Sequence, residues 1–267
     1  MSSLFSGNAA RGFNADLSGW ITAKVTNMQY MFRSARAFNG NVSGWDTSSV
    51  TRMDGMFERA TEFDQDLTNW DTSSVERMSR MFLYARAFNG DVSGWDTSSV
   101  TTMRHMFHGA TAFDGDISGW ETGFVKDMSH MFHGATAFNV DISGWDTGEV
   151  RSMRFMFYGA SSFNGNYIVS GWDTGEVRYM DYMFYGASSF NSDISGWDTG
   201  SVRKMRYMFY GASSFDIDIS GWDTGDVTSM QVSAIAIKYV PRPPQPKHTR
   251  SPLPCITISG EAWVGCS

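Results

Sequence analysis

The sequence predicts an α/β repeat solenoid, in which each unit of about 25 residues contributes one short helix and one short strand. The first observation is the spacing of tryptophan, which from Trp20 to Trp222 recurs every 25 residues except for one interval of 27, from Trp145 to Trp172. The second is that apolar residues occupy the same positions in each complete unit. Since one such unit is too small to enclose a core, neighbouring units must stack and share one.

The helix is predicted by a repeated apolar stripe. In the unit that begins at Trp95, four apolar residues follow the i, i+3, i+4, i+7 spacing of one helix face. They are Met103, Met106, Phe107 and Ala110. The same residue types recur in the other complete units, and Gly109 stands where such a helix would end.

Polar and small residues mark the other boundaries of the unit. Asp96 or Thr97 can cap the start of the helix, because a short oxygen-bearing side chain accepts hydrogen bonds from the free amides there. We place a brief strand at residues 116–118, with a turn at Gly119 or Trp120.

The repeats occupy residues 1–230 as about nine units, of which the first is incomplete. Two extra residues within 166–169 lengthen one unit and predict a bulge or a longer turn. Residues 231–267 hold all six prolines and both cysteines, so we expect a Pro-rich linker or disordered tail there. Residues 1–5 match the middle of a unit, and we therefore expect the chain to be a fragment of a longer array.

Composition excludes several functional classes. A net charge of −7 with no basic stripe argues against nucleic-acid binding. No apolar stretch reaches the length of a membrane span, and no secretory signal segment is present. We expect no enzyme, because the sequence contains no phosphate-binding loop, nucleophile elbow or metal-hydrolase motif. We expect no cofactor, apart from calcium as one hypothesis.

The unit FNxDISGWDTSxVTxMxxMFxGAxxFN resembles the BspA-like leucine-rich repeat surface proteins, in the branch first described from mycoplasmas as a domain of unknown function. The repeat length also fits a leucine-rich-type coil better than a propeller blade. The resemblance covers residues 1–230. It implies a right-handed leucine-rich-repeat-like coil, a cell-surface or extracellular location, and a role in adhesion or recognition of protein or glycan partners.

Three polar columns run through the repeats. We expect an unbroken column of threonine to serve capping or turn formation. The Asn or Asp after each core Phe resembles the asparagine ladder of solenoids, as at Asn89 and Asp114. A second acidic column can either bind calcium or accept hydrogen bonds from turn amides and solvent. Its candidate calcium ligands are Asp66, Asp91, Asp116 and Asp141.

Two columns change character along the chain and are the best candidates for a binding surface. They hold histidine in two successive units, at His105, His108, His130 and His133. Later units place aromatic residues there, at Phe155, Tyr158, Tyr182, Tyr185, Tyr207 and Tyr210. Arg154 and Arg206 flank this second set. Tyr and Arg are enriched at recognition hot spots, which favours a ligand-binding aromatic ridge, although ring packing that stiffens the wall explains the pattern equally well.

The histidines allow a sharper hypothesis, a site for zinc, nickel or copper made of imidazoles alone. Tyr and Phe replace them position for position in later units, which favours the ridge. For the whole chain, the sequence favours a non-enzymatic surface recognition or adhesion module. A structural spacer of a longer surface or wall protein, stabilised by calcium in one version, is the alternative.

Overall fold

The computed structural model describes residues 1–165 and 169–230. The predicted tail at 231–267 and residues 166–168 of the predicted bulge lie outside the described residues. The described chain winds into a solenoid, as the repeats predict. Eight parallel β-bridges join residues one unit apart, from Asn27↔Arg52 to Lys204↔Ser229, so equivalent residues of successive coils lie side by side.

The predicted helix is wrong. Among the described residues the helical segments are two 3-10 helices, Asn8–Ala10 and Val169–Gly171. The segment 103–110 instead forms consecutive tight turns. Met106 donates its amide to the Met103 carbonyl at 3.1 Å, and Ala110 donates to Phe107 at 3.0 Å.

Alternate amides of the same segment leave the coil and bond to the next one. The amide of Phe107 donates to the Met131 carbonyl at 2.9 Å, and that of Gly109 donates to His133 at 2.7 Å. His105 and Gly109 have φ values of 59° and 70°, in the left-handed region. A right-handed helix cannot pass through such residues, and the wall is therefore held by hydrogen bonds between coils.

The predicted strand is also wrong, although the turn that follows it is confirmed. Within the described residues the bridges fall at other positions, such as Thr102 and Asp127, and not at 116–118. The chain turns at Ser118 and Gly119, where the Trp120 amide donates to the Ile117 carbonyl at 3.2 Å.

The residues proposed to cap the helix serve other purposes. The Asp96 carboxylate accepts a hydrogen bond from the Ser98 amide at 2.9 Å, which closes a local turn. The Thr97 hydroxyl donates across to the Glu121 carbonyl of the next coil at 2.8 Å. The whole threonine column is buried, and from Thr22 to Thr199 its hydroxyls form equivalent bonds, so these side chains join coils rather than cap helices.

The core is one continuous stack of apolar columns. Each complete unit from Trp45 onward buries eight apolar side chains. In one unit these are Trp95, Val100, Met103, Met106, Phe107, Ala110, Phe113 and Ile117. Rings stack along the axis, with Trp95 and Trp120 centroids 6.0 Å apart and 3° from parallel. The apolar spacing that predicts a helix face is satisfied here by a row of turns that points the same residues inward.

The buried indole N–H groups of the core also form hydrogen bonds between coils. The indole of Trp120 donates to the Val92 carbonyl of the preceding coil at 3.2 Å. Trp172, which follows the two-residue insertion, still donates to the Ile142 carbonyl at 3.1 Å and stacks on Trp145. The ring stack therefore continues across the insertion.

The asparagine ladder is present as the sequence predicts. The Asp114 amide donates to the Asn89 side-chain oxygen at 2.8 Å, and the Asn139 amide donates to Asp114 at 2.8 Å. Equivalent bonds at Asn39 and Asp64 extend the ladder. Either Asn or Asp can occupy each position of the ladder, because only the side-chain oxygen accepts the hydrogen bond from the next coil.

Candidate recognition surface

The two variable columns form adjacent rows on the outer wall. The two residues that each unit contributes are three apart in the sequence and lie side by side because they span one tight turn. The Tyr158 amide donates to the Phe155 carbonyl at 3.3 Å, and their ring centroids are 5.9 Å apart. We call the six residues Phe155, Tyr158, Tyr182, Tyr185, Tyr207 and Tyr210 the aromatic ridge.

The rings of the aromatic ridge stack face to face along the solenoid axis, except that Tyr207 is tilted by 35° against Tyr182 at 5.3 Å. Phe155 and Tyr182 are 4.6 Å apart and 7° from parallel, and Tyr158 and Tyr185 are 4.6 Å apart and 2° from parallel. At the far end Tyr210 is 40% exposed. Because each inner ring covers the faces of its neighbours, the inner part of the ridge presents ring edges to a partner.

One row of the ridge lies on strained backbone. Phe155, Tyr182 and Tyr207 have φ values of 56°, 57° and 52°. An L-residue in this region costs about 1–2 kcal/mol relative to right-handed backbone. Glycine would be the least strained residue at these positions, yet each holds a bulky aromatic residue. Stacking or binding therefore has to offset the backbone strain in this row. Sequence reasoning missed this strain, since it assumed helical backbone.

The two predicted arginines are held by a residue that sequence analysis missed. Asp181 is fully buried between them. The Arg206 Nε donates to its Oδ1 at 2.9 Å. The Arg154 Nε lies 3.1 Å from its Oδ2, outside hydrogen-bond geometry. The bond to Asp181 raises the pKa of Arg206 further above its usual range. Arg154, Asp181 and Arg206 occupy the same position in three successive units. This alternation of charge in one column is the feature of the sequence from which the ion pairs could have been predicted.

The four histidines form a compact group, which we call the histidine cluster (His105, His108, His130, His133). The Nδ1 atoms of His105 and His108 are 3.0 Å apart, and those of His130 and His133 are 3.3 Å apart. Across coils, His105 stacks on His130 at 4.3 Å and His108 on His133 at 4.1 Å. His130 in turn stacks on Phe155 at 4.5 Å, so the cluster continues the ridge.

Burial keeps these imidazoles neutral at pH 7. Desolvation, with repulsion from neighbouring rings, lowers the pKa of His105 and His108 to about 3. Desolvation lowers the pKa of His130 and His133 to about 4. Within the described part of the chain, His105, His108 and His130 also form the group of potential ligands whose donor atoms all lie within 4.8 Å of one another.

The acidic column is tied to local turns. Asp91 and Asp116 each accept a hydrogen bond from the backbone amide two residues on, at 2.8 and 2.9 Å. The same bond occurs at Asp66 and Asp141. These amide bonds lower the pKa of Asp91 and Asp116. The turn-amide hypothesis thus has direct structural support, while calcium binding stays a prediction.

An open cleft of about 630 Å³ lies near the first coils and was missed by sequence analysis. Arg36, Arg59 and Arg86 line it together with Tyr84 and Glu62. Arg59 and Tyr84 have φ values of 60° and 58°, at a position where five later units have glycine. This departure from glycine was the signal that sequence reasoning could have used.

Fold and surface together define a tandem-repeat solenoid with a variable outer wall. The chain matches the family model described as a Mycoplasma protein of unknown function, DUF285, over residues 1–101, 90–168 and 166–237. It therefore belongs to that family.

Other comparisons add little. The curated proteins give no match. Among solved structures, an internalin (InlF) from Listeria monocytogenes is similar at 6% identity over 77% of each chain, with a TM-score of 0.18. A likeness at that level carries no argument about fold or function. In the described residues, no helix has the length and apolar character needed to cross a membrane.

Proposed function

We propose that this chain is a non-enzymatic recognition module that binds a protein partner through the aromatic ridge. The observation that carries the proposal is the ridge itself: six aromatic residues in two rows, flanked by arginines that a buried Asp181 holds in place. Tyr and Arg that are already ordered lose little conformational entropy on binding, which favours affinity.

A protein partner fits the ridge better than a sugar does. Sugars bind aromatic residues mainly over the ring face, and the inner faces of the ridge are covered by neighbouring rings at 4.6–5.3 Å. Ring edges and fixed arginines suit the side chains and backbone carbonyls of a protein surface.

The location we propose is the cell surface or the extracellular space. The resemblance of the repeat to the BspA-like surface proteins supports this location. The long regular wall also supports it, because solenoids present extended surfaces to partners. No part of this proposal requires a cofactor.

The test compares three forms of the full chain on immobilised extracellular-matrix proteins by biolayer interferometry. Changing Tyr182, Tyr185 and Tyr207 to Ala should weaken binding by about tenfold or more. The matched control changes the same residues to Phe, which keeps the ring stack and removes only the hydroxyls. Binding that is equal in the Ala variant and the unmodified chain would exclude the ridge as the binding surface.

The cleft near the first coils favours a second candidate function, which is binding of an acidic glycan. Three arginines and Tyr84 surround an open space large enough for a sugar residue. Guanidinium groups bind carboxylate and sulfate in a bidentate manner. Changing Arg36 and Arg86 to Gln should abolish retention on a sulfated-glycan column, while the Tyr-to-Ala ridge variant should leave it unchanged.

The structural-spacer alternative makes a separate prediction. If the acidic column binds calcium and stiffens the array, millimolar calcium should raise the melting temperature of the chain. Changing Asp91 and Asp116 to Asn keeps the oxygen that closes each turn and should remove that increase. An unchanged melting temperature in calcium would eliminate this version of the spacer.

A further inference from the structure

We propose that the histidine cluster binds one divalent transition-metal ion of the zinc, nickel and copper group, with His105, His108 and His130 as ligands. This site is independent of the proposed partner-binding function. It rests on the positions of the imidazole nitrogens in the histidine cluster.

The spacing of the nitrogens already approaches that of a metal site. Metal–nitrogen bonds of about 2.0–2.1 Å place two ligands of a tetrahedron about 3.3 Å apart. The Nδ1 atoms of His105 and His108 are 3.0 Å apart. One ring nitrogen of His130 lies within 4.8 Å of a ring nitrogen of each of the other two histidines, and the His130 ring has to rotate to reach bonding distance.

Metal binding here requires no net loss of protons. The Nδ1 atoms of His105 and His108 are at hydrogen-bond distance, 3.0 Å. Between two neutral rings such a bond requires one ring to carry Nδ1–H and to donate it to the unprotonated Nδ1 of the other. When both Nδ1 atoms bind the ion, the donating ring transfers its proton through solvent to its own Nε2. Both imidazoles stay neutral, which is the form that binds metals.

The surroundings select the type of ion. No carboxylate completes the three-histidine group within the described residues, which disfavours calcium and magnesium. Arg80 and Arg104 near His105, and Arg104 and Arg154 near His130, repel a cation, whereas Asp127 offsets part of that repulsion at His130. Imidazole suits the zinc, nickel and copper ions. An open cleft of about 400 Å³ beside His108 and His133 gives an entry path.

The repeat supplies variants that remove the ligands and keep the fold. The next coil places Phe155 and Tyr158 in the columns of the histidines: Phe155 stacks on His130 at 4.5 Å, and Tyr158 contacts His133 at 4.4 Å with a tilt of 30°. His105→Phe with His130→Phe, and separately His108→Tyr, therefore preserve the ring stack while they remove the ligand nitrogen.

The experiment titrates the chelator-treated full chain with ZnCl2, NiCl2 and CuCl2 by isothermal calorimetry. We expect one ion per chain and a higher melting temperature when the site is saturated. The His105→Phe/His130→Phe and His108→Tyr variants should bind the ion about tenfold more weakly or worse. Unfolding of these variants would be detected by tryptophan fluorescence.

Two further measurements keep the proposal falsifiable. His248, Cys255 and Cys266 are other potential ligands in the sequence, and a His248→Gln/Cys255→Ser/Cys266→Ser variant should bind as tightly as the unmodified chain. X-ray absorption of the zinc-loaded unmodified chain should show imidazole nitrogen and no sulfur in the first shell. Absence of binding, binding that survives loss of His105 and His130, or sulfur coordination would each overturn the proposal.

Discussion

Changing Phe155 to Gly should leave the solenoid more stable than changing it to Ala, which reverses the usual order of these two residues. Both changes remove a ring that stacks at 4.5 Å on His130 and at 4.6 Å on Tyr182. Each such contact contributes about 0.5–1.5 kcal/mol beyond the area it buries. This loss is common to both variants and cancels when they are compared.

The difference between the two variants isolates the backbone. Phe155 has a φ of 56°, and alanine there keeps the left-handed strain of about 1–2 kcal/mol. Glycine removes that strain, but its greater freedom in the unfolded chain costs about 0.5–1 kcal/mol. The Gly variant should therefore be more stable by roughly 0.5–1 kcal/mol, or about 2 °C in melting temperature for a domain of this size.

The assay is urea unfolding of both variants, followed by tryptophan fluorescence. Ser214 is the matched control, since it is exposed and its backbone is not left-handed. There the Gly variant should be less stable than the Ala variant by about 0.5–1 kcal/mol. If Gly at position 155 is also the less stable variant by that margin, the row of the aromatic ridge is not under backbone strain.

Three further outcomes follow from bonds between coils and from burial. Thr122→Val should lower the free energy of unfolding by about 1–3 kcal/mol in urea titration, because the Asp146 carbonyl loses its donor. Thr122→Ser keeps the donor and should cost about 0.8 kcal/mol, for the buried methyl group that it removes. Asp64→Ala should cost about 0.5–1.5 kcal/mol through loss of the Asn89 amide bond, and Asp64→Asn should keep stability because the oxygen remains. The metal-free chain should lose stability as pH falls from about 6.5 towards 4. In the folded chain the pKa values of the histidine cluster are lowered to about 3 and 4, so over this range the unfolded chain binds protons that the folded chain does not bind. A variant with Phe or Tyr at the four positions should lose less stability over that range when thermal melts are compared.

Much of the candidate surface could be predicted from the sequence, because it depends only on the repeat. Once coils stack in register, Phe155 must lie beside Tyr182, whatever backbone joins them. The same holds for the ladder from Asn89 to Asp114. The restraint on Arg154 and Arg206 was not predicted, since it depends on how far Asp181 is buried between coils.

The sequence by itself determined the period of this protein, the eight apolar columns of its core and the side-by-side order of its outer columns. Only the tertiary structure decided the local backbone. An apolar residue at every third and fourth position turns inward both on a helix and on a run of tight turns. The choice between them is made by the amides of residues such as Phe107 and Gly109, which bond to the next coil rather than to their own. The carbonyl groups that accept these bonds are in position only when the neighbouring coil has folded, so the sequence of a single unit does not determine its own backbone conformation.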